Sequence, residues 1–129
     1  MTAQPISRRE AWAAEGIFPN NCPIRKILDH VAAKWTTLVL LELFEKPRRF
    51  NELGRLLPDI SKRMLTQTLR ELERDGIVNR QVFDTTPPSV EYSLTPLGGT
   101  LIPPLLGLVD WAKNNQHTID AAQTAYDAR

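Results

Sequence analysis

The sequence predicts a mainly α-helical fold with a small β-hairpin. Apolar residues recur at the spacing of amphipathic helices, and two segments with strand character flank a proline-rich turn. The chain has 129 residues, of which 42% are hydrophobic and 24% are charged. This length and composition are typical of one globular domain, which we expect to cover residues 1–129.

The N-terminal part of the chain predicts three helices. Residues 8–15 favour a short helix that carries Trp12, and Pro23 starts a second helix with apolar residues on one face of residues 24–31. Residues 35–44 are nearly all apolar, yet they are too few to span a membrane. They therefore predict a buried central helix.

The middle of the chain predicts two helices joined by a tight turn. Asn51 is expected to cap the first helix, over residues 51–56, because its side chain accepts hydrogen bonds from free backbone N–H groups. Residues 57–60 make the turn. Ser61 is expected to cap the second helix, over residues 61–75, in which leucines follow at helical spacing.

A β-hairpin and a long helix complete the chain. Gly76 is placed to end the preceding helix, and residues 77–83 and 90–94 have strand character. Thr95, followed by proline, starts the last helix, which is expected over residues 96–115. Helix, helix, turn, helix, hairpin and helix in this order are typical of a winged helix-turn-helix with extra helices at both ends.

The helix over residues 61–75 is the candidate recognition helix, and the loop of residues 84–89 is the expected wing. The leucines of this helix share one face, and arginines and a glutamine lie opposite. Arginine and glutamine bind base edges in the major groove through paired hydrogen bonds. The alternative is a solvated face on which Glu71 and Glu73 pair with arginines. Because a hairpin directly follows this helix, we favour DNA contact, and the candidate DNA-binding residues are Arg48, Arg49, Ser61, Lys62, Arg63, Thr66, Gln67, Arg70 and Arg80.

Positive charge is concentrated in the middle of the chain. Residues 22–82 contain 12 Lys and Arg against 8 Asp and Glu, a net charge of +4, whereas the whole chain carries +1. A local excess of this kind favours an anionic partner, here double-stranded DNA. A winged helix can also serve as a protein-interaction module without DNA. The arginines and glutamine of the candidate recognition helix distinguish the two functions, because such a module has no need of them.

No catalytic, cofactor or metal site is expected, so we do not predict an enzyme. The sequence suggests no Ser/His/Asp set and no catalytic carboxylate pair, and Cys22 and His30 lie about 12 Å apart along one helix. His30 and His117 lack the spacing of metal ligands. We expect a cytoplasmic protein, because the chain has one cysteine, no membrane-length apolar run and no secretory signal.

Cys22 is the candidate redox-sensing residue. It lies at a predicted helix N-terminus beside Arg25 and Lys26, and both features favour the reactive thiolate. The alternative is a buried cysteine that acts as a small apolar side chain. The sequence leaves both roles of Cys22 open. It also leaves open an oxidant or a small molecule as the effector of this protein.

A series of short motifs resembles one protein family. The motifs are Cys22-Pro23-Ile24, Lys34-Trp35, Arg48-Arg49-Phe50-Asn51-Glu52-Leu53, Ile60-Ser61-Lys62-Arg63-Met64-Leu65-Thr66, Leu69-Arg70-Glu71-Leu72-Glu73, Asp75-Gly76, Pro87-Pro88, Val90-Glu91-Tyr92 and Leu94-Thr95-Pro96-Leu97-Gly98. They resemble the HxlR-type winged-helix transcriptional regulators, relatives of the MarR group. The resemblance implies a homodimer on a two-fold symmetric operator, and a cysteine that senses oxidants or electrophiles in some members. Many relatives carry a basic residue at the wing tip, where this chain has Ser89.

The ends of the chain are the expected dimer surface. Residues 1–21 would form an N-terminal arm, and residues 96–115 a C-terminal dimerisation helix. Both carry apolar side chains outside the compact winged-helix unit, which a monomer would leave in water. These side chains are Trp12, Ile17, Phe18, Leu105, Leu106, Leu108 and Val109.

Overall fold

The structure is a computed structural model that describes residues 7–16, 27–29 and 33–129. Residues 27–29 are helical. The other elements, in chain order, are α1 (Arg8–Ala14), α2 (Lys34–Glu45), β1 (Arg48–Arg49), α3 (Phe50–Leu56), α4 (Lys62–Arg74), β2 (Val78–Phe83), β3 (Ser89–Leu94) and α5 (Pro96–Asp127). This order confirms the predicted winged helix-turn-helix, mainly α-helical with a small β-hairpin.

A three-stranded antiparallel sheet connects the helix-turn-helix to the hairpin. The strand order is β1-β3-β2, so β3 pairs with both of the other strands. In the register Arg48 lies opposite Tyr92, which in turn lies opposite Arg80. The three side chains therefore share one face of the sheet, and Arg49 projects from the other face. The wing loop covers residues 84–88, because Ser89 already begins β3.

One apolar core joins α2, α4, the sheet and the start of α5. Its buried side chains are Val39, Leu40, Leu43, Leu53, Leu57, Ile60, Leu65, Leu69, Leu72, Ile77, Val78, Ile102 and Leu105. Leu105 is only 5% exposed. Its assignment to the dimer surface was therefore wrong, because this side chain is already covered within the chain.

Local signals set most of the helix starts. The Ser61 hydroxyl accepts a hydrogen bond from the Met64 N–H at 3.0 Å, which confirms the predicted cap of α4. Asn51 was wrongly predicted to cap α3, which begins one residue earlier, at Phe50. The N-cap residue is Arg49, whose backbone N–H donates to the Glu52 carboxylate at 3.1 Å. The side chain that closes this helix end therefore lies inside the helix.

A single threonine joins the end of α4 to the start of α5. After α4, Gly76 adopts a φ of +75°, as a glycine after a helix commonly does. The Thr95 hydroxyl lies 2.6 Å from the Gly76 carbonyl oxygen and 3.0 Å from that of Ile77, so it can donate to either. It also accepts from the Gly98 N–H at 3.0 Å, which confirms the predicted cap of α5. The turn that follows α4 is thus held to the start of α5 by these hydrogen bonds.

The last helix is longer than predicted. It extends to Asp127, twelve residues beyond the expected end at residue 115, and it continues through Pro103 and Pro104. Exposed apolar side chains remain on it, among them Trp111 at 56%. No helix in the described ranges is long and apolar enough to cross a membrane.

Residues 7–16 of the predicted N-terminal arm fall within the described residues. Helix α1 is present, and its Trp12 is 48% exposed. Residues 1–6 and 17–21 of the arm, with Ile17 and Phe18, lie outside the described residues.

Candidate nucleic-acid interface

Helix α4 separates its side chains as the sequence predicted. Leu65, Leu69 and Leu72 are each 1% exposed and pack into the core. The opposite face carries Arg63, Gln67, Arg70 and Arg74, all exposed. Burial of the leucines fixes the rotation of the helix, so the polar face must point away from the core.

The arginines on this face are not engaged by nearby acids. Gln67 Nε2 donates to Glu71 Oε1 at 3.3 Å. Arg63 and Arg70 make no hydrogen bond or ion pair with any residue in the described part of the chain. The ion pairs that would mark a merely solvated face are therefore not formed with Glu71 or Glu73, and no residue in the described ranges engages the two guanidinium groups.

The other polar side chains near the start of α4 are engaged locally. The Thr66 hydroxyl donates to the Lys62 carbonyl at 2.8 Å, and the Ser61 hydroxyl serves as the helix cap. Lys62 is exposed. The exposed face and its flank thus combine exposed arginines with hydroxyls that the helix itself holds in place.

Three shallow depressions form one surface from α4 to the wing loop. The first lies on α4 between Lys62 and Arg70. The second lies between α3 and α4, and Lys62 belongs to both. The third lies between the start of α3 and the wing loop, and it shares Asn51 with the second. The surface therefore runs without a break from the candidate recognition helix past α3 to the hairpin.

Two exposed residues on this surface were not among the predicted site residues. Arg55 and Asn51 both lie on α3 and line the depression next to Lys62. They are four positions apart, so they lie on one side of the helix. The sequence did contain a signal for this pair. In the helix that precedes the tight turn, the basic Arg55 follows the polar Asn51 at a spacing of four residues.

Arg48 is buried and cannot reach a phosphate from its present position. Its side chain is 10% exposed, and its guanidinium contacts Glu45 at 2.9 Å, Glu42 at 3.5 Å and Glu52 at 3.9 Å. The expected phosphate contact is therefore corrected: the structure places Arg48 within the fold, because three carboxylates occupy its donors.

Arg49 and Arg80 are exposed, as a phosphate contact requires.

The Arg49 N–H bound to Glu52 lowers the pKa of that carboxyl, and the positive charges of Lys46, Arg48 and Arg55 act in the same direction. Because the pKa of Glu52 is lowered on folding, this contact stabilises the fold fully above the ordinary pKa of 4.5, and the stabilisation is lost as the pH falls through the lowered pKa.

The wing loop lacks positive charge. Residues 84–88 contain an aspartate and no lysine or arginine. The Thr85 hydroxyl donates to the Pro87 carbonyl at 2.7 Å and lies 3.3 Å from the Ser89 hydroxyl. The loop is therefore held by its own hydroxyls and offers small polar groups to a partner.

Cys22, with its neighbours Arg25 and Lys26, lies outside the described residues, as does His30. The redox-sensing role of Cys22 therefore stays a prediction. His117 is exposed on α5. Among the described residues, no group of three His, Cys, Asp or Glu side chains could hold a metal ion.

The known proteins that this chain resembles are helix-turn-helix proteins, in agreement with the geometry of α3 and α4. The family model for the HxlR-like helix-turn-helix matches residues 30–120, which is most of the chain. The chain belongs to this family. YdeP of Bacillus subtilis (strain 168), an HTH-type transcriptional regulator, is 45% identical over 107 residues, covering 83% of this chain and 84% of YdeP. The HxlR-like chain is therefore a helix-turn-helix transcriptional regulator.

Solved structures agree with the fold of this HxlR-like regulator. The transcriptional regulator ytfH from Salmonella typhimurium is 39% identical, with a TM-score of 0.77 over 83% of this chain and 96% of that one. The reduced form of the redox regulator HypR is 42% identical, with a TM-score of 0.72 over 77% of this chain and 98% of that one. HypR has also been solved in its oxidised form.

Proposed function

We propose that this HxlR-like regulator binds double-stranded DNA as a homodimer on a near-palindromic operator, in the cytoplasm. The observation that carries the proposal is the exposed face of α4, where Arg63 and Arg70 stand on either side of Gln67 and no described residue occupies their donors. Arginine and glutamine are the side chains that bind guanine and adenine edges with paired hydrogen bonds. A helix of this width fits the major groove.

The proposed roles follow from position. Gln67 and Arg70, with Arg63, read base edges. The side chains proposed to hold phosphates are Arg49, Arg55, Ser61, Lys62, Thr66 and Arg80. Phosphate contacts would set the register of α4 on the duplex and carry no sequence information themselves. Arg48 has no place in this set.

Exposed apolar side chains at the chain ends support the dimer. Leu106, Leu108 and Trp111 on α5 and Trp12 on α1 are between 39% and 56% exposed. Association of two copies would remove this surface from water. Two copies related by a two-fold axis would present two α4 helices to half-sites about 34–36 Å apart, or a multiple of that distance.

The salt dependence of DNA affinity distinguishes the proposed function from the alternative, a protein-interaction module that does not bind DNA. Each phosphate that a cation neutralises releases counterions, and log K falls by about 0.9 per phosphate against log[salt]. If each subunit neutralises three to five phosphates, we expect a slope of about −5 to −9 for the dimer. Fluorescence anisotropy with a short duplex at several salt concentrations measures it.

The opposite result would favour the module. A flat salt response, together with no retention on heparin at low salt, would mean that the basic face of α4 does not bind a polyanion. A DNA-binding protein should be retained on heparin at low salt and released at moderate salt.

We further propose that oxidants or electrophiles act on this regulator through Cys22. The similarity to HypR, which is named a redox regulator, supports this, and so does the predicted position of Cys22 at a helix start beside two basic residues. The chain has one cysteine, so it cannot form a disulfide within itself. The open products are a sulfenic acid, a mixed disulfide with a small thiol, and a disulfide with a second copy.

A further inference from the structure

The Arg48 guanidinium joins three consecutive parts of the chain. Nη2 lies 2.9 Å from a Glu45 oxygen and 3.5 Å from a Glu42 oxygen, and Nε donates to the Glu42 carbonyl at 3.4 Å. Nη1 lies 3.9 Å from Glu52 Oε2. Glu42 and Glu45 belong to the last turns of α2, and Glu52 to the first turn of α3. One side chain on β1 thus contacts the elements before and after it.

The charge of this cluster excludes a direct role in attracting DNA. Three carboxylates surround one guanidinium, so the cluster carries a net charge of −2. A phosphate that approached Arg48 would meet the carboxylates as well. The buried guanidinium needs these carboxylates, because an unpaired charge at this depth is costly.

The cluster continues into the main chain through Glu52. Its Oε2 lies near Arg48, and its Oε1 accepts the N–H of Arg49, where β1 passes into α3. Strand β1 has only two residues, which pair with Tyr92 and Glu91 of β3. So short a strand has little backbone pairing of its own, and the side-chain contacts supply the rest of its anchorage.

The position of β1 sets the shape of the candidate interface beside the wing loop. Arg49, Phe50 and Asn51 form one wall of the depression there, and residues 85–90 form the other. Arg49 and Asn51 are exposed, whereas the neighbouring Arg48 holds the backbone between α2 and β3. A shift of β1 would therefore change the distance between α3 and the hairpin.

We propose that Arg48 is a positioning residue, which locks β1 and the first turn of α3 against the end of α2 and so fixes the spacing between α3 and the wing loop on the DNA-binding surface. This inference rests on the proposed function for its DNA readout. Lysine cannot replace arginine here, because its single ammonium lacks the planar fork that reaches several carboxylates at once.

Hydrogen exchange on the free protein is the first arm of the test. In Arg48→Lys and Arg48→Met we expect the Arg49 amide and the first turn of α3 to exchange about two- to tenfold faster. This change in rate corresponds to the loss of about one hydrogen bond. The matched control is Arg55→Gln, which removes an exposed charge from the same helix and should leave these amides unchanged. Unchanged exchange in both Arg48 variants would overturn the proposal.

DNA binding is the second arm. Both Arg48 variants should lose about tenfold in affinity for cognate DNA, comparable to one base contact, with the salt slope of the wild type. Arg55→Gln should reduce the slope by about 1.8 for the dimer, because it removes one phosphate contact from each subunit. If Arg48→Met lowers the slope in the same way and Arg48→Lys restores it, Arg48 contacts phosphate and the proposal is wrong.

A third variant keeps the test decisive if the Arg48 variants do not fold. Glu45→Gln keeps the shape of the side chain and removes the nearest carboxylate partner of Arg48, at 2.9 Å, without changing the Glu52 acceptor of the Arg49 N–H. It should speed exchange of the Arg49 amide in the same direction as the Arg48 variants, and unchanged exchange would overturn the proposal. If the wild type binds no DNA, the proposed function fails, and the exchange arm still decides whether Arg48 locks β1.

Discussion

At the scale of the residue, the three side chains of α4 proposed to bind base edges limit how much DNA one subunit would read. Arg63 and Arg70, with Gln67 between them, are seven positions apart, which is about 10.5 Å along a helix that rises about 1.5 Å per residue. Base pairs stack about 3.4 Å apart. The three side chains therefore match about three consecutive base pairs, so a dimer is needed to recognise a site of useful length.

Cys22 carries the residue-scale prediction on regulation. A thiol at a helix N-terminus beside cations should have a pKa below the free value of about 8.5. We expect diamide, a quinone or hypochlorite to alter the affinity of the wild type for its operator, and Cys22→Ser to be insensitive. Anisotropy with and without oxidant measures the affinity, and mass spectrometry identifies the product on the sulfur.

The physical reason for the Cys22 prediction is its expected place near the dimer surface. A bulky or charged adduct there would tilt the two copies, and both half-sites must be engaged at once for tight binding. If the wild-type thiol reacts and binding does not change, Cys22 has only a packing role. An equal response of Cys22→Ser would place the sensor elsewhere.

At the scale of the element, the contact between α5 and the end of α4 depends on Gly98. A Cβ atom at Gly98 would collide with the Ile77 carbonyl oxygen, which is backbone and cannot swing away. The start of α5 can approach Ile77 closely only because residue 98 has no side chain. This close approach lets Thr95 bind the Gly76 and Ile77 carbonyls.

We therefore predict that Gly98→Ala lowers the free energy of unfolding by about 1–3 kcal/mol, the usual cost of overpacking. Gly99→Ala is the matched control on the same helix, since nothing lies within 4 Å of its added Cβ. That change should be neutral or stabilise by up to about 1 kcal/mol, as glycine is a poor helix former. Urea unfolding at one fixed protein concentration measures both, and equal stabilities would refute the account.

Helix starts were predictable because their signals are local. Ser61 and Thr95 each bind a backbone N–H three residues ahead, so the sequence alone placed both caps. Asn51 failed because β1 runs directly into α3, and Glu52 binds the N-cap backbone instead. The sequence could not show that Arg48 and Arg49 are two residues of a strand that pairs with β3.

The end of α5 and the role of Arg48 were missed for reasons of a different kind. After Ala112 the apolar spacing weakens, although no glycine or proline stops the helix before its end at Asp127. Arg48 was counted as a free cation, because its three carboxylate partners come from two helices whose packing the sequence does not specify. Local pattern thus gave the helix starts, and tertiary contact decided the burial of Arg48.

At the scale of the whole molecule, helix α5 lies partly in the core and partly at the surface. Ile102 and Leu105 fix the first part of α5 in the core, whereas Leu108 and Trp111 remain exposed further along. The same helix therefore connects the core next to α4 with the surface proposed for the second copy.

The central claim is that α4 reads base sequence from two copies of this chain. Selection of bound sequences from random DNA supplies the operator, and a footprint should cover two inverted half-sites about 34–36 Å apart, or a multiple of that spacing. The most direct measurement is the affinity of the wild type, Gln67→Ala and Arg70→Ala for this operator and for random DNA. We expect each substitution to cost about 1–3 kcal/mol per half-site on the operator and little on random DNA. Equal losses on both DNAs, or protection of a single half-site, would contradict the account.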